Sequence, residues 1–280
     1  MRAVGNAESA ARRRRIRIAI GATAAVVALA LAVTAVAMWV FGGSKHAVAS
    51  RCVVGAGTTR YEIGAEQAEN ATTIAAVGKR LGLPDHAVTI ALAAAMQESR
   101  LTNIAYGDRD SLGLFQQRPS QGWGTRAQIM RTPYSAQAFF HALEHIPGWQ
   151  RMSVTDAAQA VQHSDAPQAY ATWEPLARSL AVATTGEVAA GLGCAFPITH
   201  SGRPTASPIA ALTRELGPLA LNAPGSRERG WLAASWLVGH ARRFGITSVA
   251  FGARRWTPQG TWTTTPTTRS GIEITQAPTH

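Results

Sequence analysis

The stretch AVTIALAAAM, residues 87–96, constrains the fold most: ten consecutive positions carry no charge and a single hydroxyl. Coiled as a helix, such a segment is apolar on every side and must lie in the middle of the structure. Pro84 marks its start, so the pattern predicts a central buried helix over DHAVTIALAAAMQES, 85–99. The rest of the chain then has to supply the elements that wrap it. AEQAENATTIAAVGKRLG, 65–82, reads as one such helix and stops at Gly82-Leu83-Pro84. YSAQAFFHALEHI (134–146) places Phe139, Ala142 and Leu143 on one face, SVTDAAQAVQHS (153–164) opens with a polar cap, and AYATWEPLARSLA (169–181) follows. No stretch here alternates with period two, so residues 52–194 read as a mainly α unit.

Two further features set the organisation. The run from Ile18 to Phe41 holds 24 residues without a charge. As a helix it would extend roughly 36 Å, enough to cross a bilayer core. Arg12, Arg13, Arg14, Arg15 and Arg17 flank it and predict a cytoplasmic tail at 1–17, a signal anchor at 18–41 and a short spacer at 42–51. The localisation expected is therefore a single-pass membrane protein whose larger part is extracytoplasmic, with the bilayer as one partner. Ala47-Val48-Ala49 keeps open cleavage of a signal peptide instead. Towards the other end, AFPITHSGRPTASP, 195–208, carries three prolines and reads as a linker. Beyond it, 209–280 reads as a small α/β domain, with a helix over RGWLAASWLVGHARRFG and strands in SVAFGARRW, TWTTTP and SGIEITQ.

The net charge of +11 is concentrated in the arginine cluster, which anionic lipid accounts for. No helix-turn-helix or zinc-finger spacing is present, and nucleic acid is not an expected partner. Of the 280 residues 46% are apolar and 15% charged, which argues against wholesale disorder. Cys52 and Cys194 are the two cysteines; in an oxidising compartment they would pair, and two free buried thiols are the alternative. They are too few for a thiolate zinc site. His141 and His145 sit four apart, but in HALEH rather than H-E-x-x-H, and no third ligand is evident. Neither a metal nor a cofactor is expected, and no G-x-S-x-G elbow or P-loop appears.

What remains is Glu98, a lone carboxylate closing the greasiest helix of the chain. A carboxyl there is costly as an anion unless it is paired or protonated. Glu98-Ser99, then Ser111-Leu112-Gly113-Leu114-Phe115-Gln116, then Thr132-Pro133-Tyr134 and finally AAQAVQHS (157–164) follow in order. Together they resemble the soluble lytic transglycosylase and goose-type lysozyme superfamily over roughly residues 70–180. Members of that superfamily cleave the glycan strands of peptidoglycan. The resemblance implies a lysozyme-like fold for 52–194 and a catalytic role for Glu98, acting first as acid and then as base. It also implies substrate contacts from Ser99, Ser111, Gly113, Leu114, Phe115, Gln116, Gln162 and Tyr170. The bond expected to be cut is the β-1,4 link between MurNAc and GlcNAc, with peptidoglycan as partner.

A raised pKa would let Glu98 hand a proton to the departing glycosidic oxygen, and burial would raise it. Asp108 and Asp110 follow 10 and 12 residues later and would serve a lysozyme-like hydrolysis; their other reading is a polar turn paired with Arg109 or Arg118. The superfamily's Tyr-Asn pair falls on Val161-Gln162, so a phenol is missing there, for which Tyr106 and Tyr170 are the substitutes in sight. That departure keeps a further alternative open, a binding or scaffold protein without turnover. Trp123, Trp149 and Trp173 are candidates for a sugar groove or for core. The segment 209–280 looks like a domain appended to cell-wall hydrolases of actinobacteria, where Trp231, Trp236, Trp256 and Trp262 either face a wall polymer or pack inside.

Overall fold

The uncharged helix sits where its composition demands. In the computed structural model, which describes residues 50–164, 166–197, 207–219 and 221–278, α2 spans Asp85–Ser99. Every residue from Ala87 to Met96 is buried, and the other elements pack round it. Before it comes α1 (Ala65–Arg80). After it come α3 (Arg126–Ile129), α4 (Thr132–Glu144), α5 (Val154–Gln162) and α6 (Glu174–Thr184). Local chemistry explains the boundaries. Pro133 occupies the first turn of α4, where its missing N–H costs nothing. Ser153 caps α5 by accepting the Asp156 N–H at 3.0 Å. At Gly78 any side chain would strike the Phe140 ring, so α1 and α4 approach closely there.

A sheet that the hydrophobic pattern did not reveal closes one side. Strands β1 (Arg51–Ala56), β2 (Thr59–Gly64) and β3 (Leu192–Ala195) form it in the order β2-β1-β3, all antiparallel. Of β2 only Ile63 is buried, which is why alternation is invisible in its sequence. Cys52 and Cys194 stand directly opposite each other on β1 and β3 and form a disulfide across 142 positions of chain. In the chain-entropy model a loop of that size is worth about 4–5 kcal/mol.

The remaining segments are α7 (Pro208–Leu216), α8 (Arg227–Gly239), α9 (Ala241–Phe244) and a two-stranded ribbon of β4 (Ile246–Trp256) with β5 (Trp262–Gln276). The helix expected over 229–245 is interrupted at His240. The two strands expected in TWTTTP and SGIEITQ are one, with register shifts where β4 bulges at Ala250–Arg254. The chain as described is thus a mixed fold, helices plus two small antiparallel sheets.

The described residues on either side of the stretch expected to link two units, 195–208, share one core and belong to one compact unit. Phe196 N–H donates to the Pro258 carbonyl, and the Trp256 and Trp262 indoles donate to the carbonyls of Cys194 and Leu192, at 3.2 and 2.7 Å. On α7, Glu215 is buried and accepts from Thr73 of α1 and from the Trp236 indole of α8, at 2.9 and 2.7 Å. Burial raises its pKa, against the pull of those two donors. His240 stacks on Trp236 beside them, and burial pushes its pKa down to about 3, so it is neutral.

The membrane expectation is corrected. The run 18–41 on which it rested lies outside the described residues, as do the tail and spacer up to residue 49. Among the described residues no helix is long and apolar enough to cross a bilayer. The longest of them, α1, has 16 residues and so measures about 24 Å, and it carries charge at both ends.

Candidate functional site

Glu98 lies in the last turn of α2, half-buried, with no basic residue in that turn. Two effects oppose its ionisation. Burial strips water from the carboxylate, and the helix C-terminus presents the negative end of the macrodipole. Burial is the larger cause of the upward pKa shift, and hydrogen bonds from Tyr170 and then Gln162 pull it part of the way back. The Tyr170 hydroxyl donates to Glu98 Oε1 at 2.8 Å. Tyr170 itself is fully buried in a short 3-10 turn, Pro167–Trp173, and burial and the facing carboxyl raise its own pKa. No ion pair to Glu98 occurs among the described residues.

The turn after Glu98 is tightly specified. Arg100 and Leu101 both adopt left-handed backbone with φ of 57°, a conformation costing roughly 1–2 kcal/mol for each side-chain-bearing residue. Donors from α1 hold it: Gln67 Nε2 reaches the Arg100 carbonyl and Asn70 Nδ2 the Leu101 carbonyl, each at 2.8 Å. The Arg100 guanidinium is thereby turned onto the face of Trp173, 3.9 Å from the ring centroid. The Trp173 indole in turn donates to Gln97 Oε1 at 2.9 Å. Gln97 and Arg100 were not singled out in the sequence; the only cue was adjacency to Glu98.

The loop that follows is held by its own hydrogen bonds and a small apolar cluster. Leu112 and Gln117 exchange backbone hydrogen bonds at 3.0 Å, closing a tight turn over 113–116. Ser99 is buried, and its hydroxyl donates to the Leu114 carbonyl at 2.8 Å, tying that turn to α2. Ser111, Leu114 and Phe115 are buried too, with Phe115 stacked on Phe139 at 4.7 Å. These four side chains position the loop and pack inward. Gly113 has φ of 74°, and an added Cβ would sit 3.1 Å from the Ile129 carbonyl oxygen, so glycine is required there by the fold. Gln116 is half-buried and donates to the Gly113 and Tyr106 carbonyls at 3.1 and 3.3 Å. Gln162 donates to the Phe115 carbonyl at 2.9 Å and so joins α5 to the loop beside Glu98.

The two aspartates differ. Asp110 pairs with Arg118 at 2.9 Å and accepts from the Ser120 N–H at 2.8 Å; these contacts, Arg118 first, hold its pKa well below the usual range. It is a turn staple. Asp108 has a side chain 86% exposed and lies 3.8 Å from Arg109. Tyr106 is 74% exposed on the same loop, and the phenol bonded to Glu98 is Tyr170.

Trp149 is core, stacked near His86, and Trp123 packs partly buried against the core. Trp231, Trp236 and Trp256 are buried and Trp262 is partly so. His141 contacts Glu144 at 3.2 Å, and His145 Nδ1 lies 2.6 Å from the His141 carbonyl. Among the described residues no group of three or more metal-ligating side chains gathers. Among the described residues, cavities of about 880, 610, 600 and 360 Å³ occur, and Glu98 lines none of these four.

Comparison with known proteins adds no relative: no family model and no curated protein matches the chain.

Proposed function

We propose that this protein cleaves peptidoglycan glycan strands at the MurNAc–GlcNAc β-1,4 bond, on a lysozyme-like arrangement of helices centred on α2, with Glu98 as the one catalytic carboxyl. The observation that carries the reading is the state of Glu98. It is a half-buried carboxyl at a helix C-terminus, its pKa raised by burial, hydrogen-bonded by a phenol and offset by no cation. That combination suits an acid that must hold a proton near neutrality and release it to a leaving oxygen.

Tyr170 supplies the phenol whose usual position is taken by Val161. Its O–H holds Glu98 Oε1, and Oε2 is then the oxygen for the glycosidic bridge. Once the proton has left, the carboxylate becomes the base that draws the substrate's own 6-hydroxyl onto the anomeric carbon, closing the 1,6-anhydro ring. Trp173, backed by Arg100 and bonded to Gln97 beside Glu98, offers a ring for a sugar next to the carboxyl.

Hydrolysis through a second carboxylate is the other route. Asp110 is committed to Arg118 and Ser120, and Asp108 stands in solvent, so a single-carboxyl route fits these residues better. The test is incubation of the full chain with purified sacculi and mass analysis of released fragments. Anhydro-ended muropeptides are expected from the wild type, with Glu98→Gln slower by a factor of about 10³ or more. Reducing ends would replace this reading by hydrolysis. No release at all would leave a protein that binds without turning over.

A further inference from the structure

Where α1, the start of α4, α7 and α9 meet, a cavity of about 600 Å³ opens. Its floor is polar: Asn70, Thr73 and Glu215 line it, each no more than 9% exposed. Two of the three are spent inside the fold. Asn70 donates to the Leu101 carbonyl at 2.8 Å and accepts from the Thr132 hydroxyl at 3.2 Å, and Thr73 donates to Glu215 at 2.9 Å. Glu215 is only half spent. Its Oε2 takes both Thr73 and the Trp236 indole, while Oε1 accepts no hydrogen bond among the described residues. Oε1 is also not one of the enclosed unpaired atoms, so it keeps accessible surface, and the cavity is the space that Glu215 borders.

No ion pair answers this carboxyl among the described residues. His240, 3.3 Å from the Thr73 hydroxyl, is neutral, and Arg243 is engaged by Glu69 at 3.1 Å. One oxygen held and the other open make a fixed acceptor for a group that brings its own hydrogens, and an ammonium brings three. The rim adds the opposite sign. Arg131 and Arg214 line the cavity and enter no ion pair among the described residues. Arg131 lies over the Tyr134 ring, 5.7 Å from its centroid, and the exposed Glu66 opposite accepts the Asn103 N–H at 3.1 Å. A simple cation would meet the guanidinium groups and a simple anion the floor carboxyl, so each alone is opposed. A ligand carrying both charges answers both, its ammonium inward and its carboxylate outward, where a guanidinium is the natural partner. Met130 and Pro133, both half-buried, leave an apolar wall for a side chain.

We propose that this cavity binds a small zwitterion, its ammonium taken by Glu215 and its carboxylate by Arg131 and Arg214. A free amino acid and a short peptide both present that chemistry. Calorimetric titration of the full-length protein separates them, using leucine and leucyl-glycine, with leucinamide as the cation alone and N-acetyl-leucine as the anion alone. At least one zwitterion should bind, and leucinamide and N-acetyl-leucine at least tenfold more weakly. Preference for leucine identifies a free amino acid, and preference for leucyl-glycine a peptide. Glu215→Gln keeps an oxygen for Thr73 and Trp236 but removes the charge, and should weaken binding tenfold or more in a protein that still melts in one step. Arg131→Gln with Arg214→Gln, both at exposed positions, should also weaken it tenfold or more, and decides the matter should Glu215→Gln fail to fold. Absence of heat with both zwitterions, leucinamide or N-acetyl-leucine binding as tightly as the better zwitterion, or an unchanged affinity in the folded Glu215→Gln or the arginine double variant would overturn the assignment.

Discussion

Desolvation and the negative end of α2 work against a charge on Glu98, and the Tyr170 hydroxyl works for it; desolvation is the larger. The sign for stability follows. An acid whose folded pKa lies above its unfolded value of about 4.3 favours the fold only while protonated. Its contribution is complete below about pH 4 and is lost as the pH rises through the folded pKa. Glu98→Gln is neutral at every pH, so it should melt above the wild type at pH 7.5, with the gap shrinking towards zero at pH 4. Melting curves at the two pH values check this, and a gap that is the same at both would refute it. Tyr170→Phe acts on the other side of the balance. Removing a donor that lowers the Glu98 pKa should move that pKa further up, read by carbon NMR of the labelled carboxyl, and should cost about 1–3 kcal/mol of stability. A fall in the Glu98 pKa would show that the phenol does not serve the anion. Tyr170 was in view from the sequence only as one of two tyrosines that could replace the phenol absent at Val161. Seventy-two positions separate it from Glu98, and no local pattern spans such a distance.

A turn, a helix end and a short loop make up the site as elements, and they were legible to different degrees. The uncharged run of α2 permitted a single reading, and its ends came out at Asp85 and Ser99 as the sequence indicated. The loop motif 111–116 was visible as a pattern, but the inward packing of its side chains was not. Ser99, Ser111, Leu114 and Phe115 face inward because a loop that must hold one shape needs its own small core, and a motif looks the same whether its residues touch a ligand or each other. β2, an edge strand, was missed because Ile63 is its one buried position, and β1, central but six residues long, because RCVVGA does not alternate in sequence. Gly113 shows what the loop demands. Gly113→Ala must keep φ near 74° and fit a methyl against the Ile129 carbonyl and Asn103. It should lower stability by about 1–2 kcal/mol in urea unfolding, through a lower midpoint at unchanged slope. An unaltered midpoint would mean that the backbone can leave this conformation freely.

Across the whole molecule, one set of contacts decides how the chain can be divided. Thr72 and Thr73 are polar residues of α1, which a unit ending at Cys194 would be expected to turn outward. Both are buried instead, Thr73 against Glu215 of α7 and Thr72 against Gly239 of α8, where an added Cβ would lie 2.7 Å from its hydroxyl. Ser235 of α8 donates to the Ala183 carbonyl at 2.9 Å, and the Trp256 and Trp262 indoles close over β3. Proline-rich composition at 195–208 signals irregular backbone, and irregular backbone can cross a single core as readily as it can join two. A chain ended at Pro197 would strip the fully buried Trp236, Leu237 and Val238 from α1 and leave the carbonyls of Leu192 and Cys194 without their indole donors. Losing one such aromatic typically costs about 3–5 kcal/mol, and whole domains rarely hold more than about 15. Residues 1–197 alone should therefore show no cooperative thermal transition and should bind a hydrophobic dye, whereas the full chain melts in one step. A sharp melt of the shortened chain within a few degrees of the full one would instead place a self-sufficient core before residue 198.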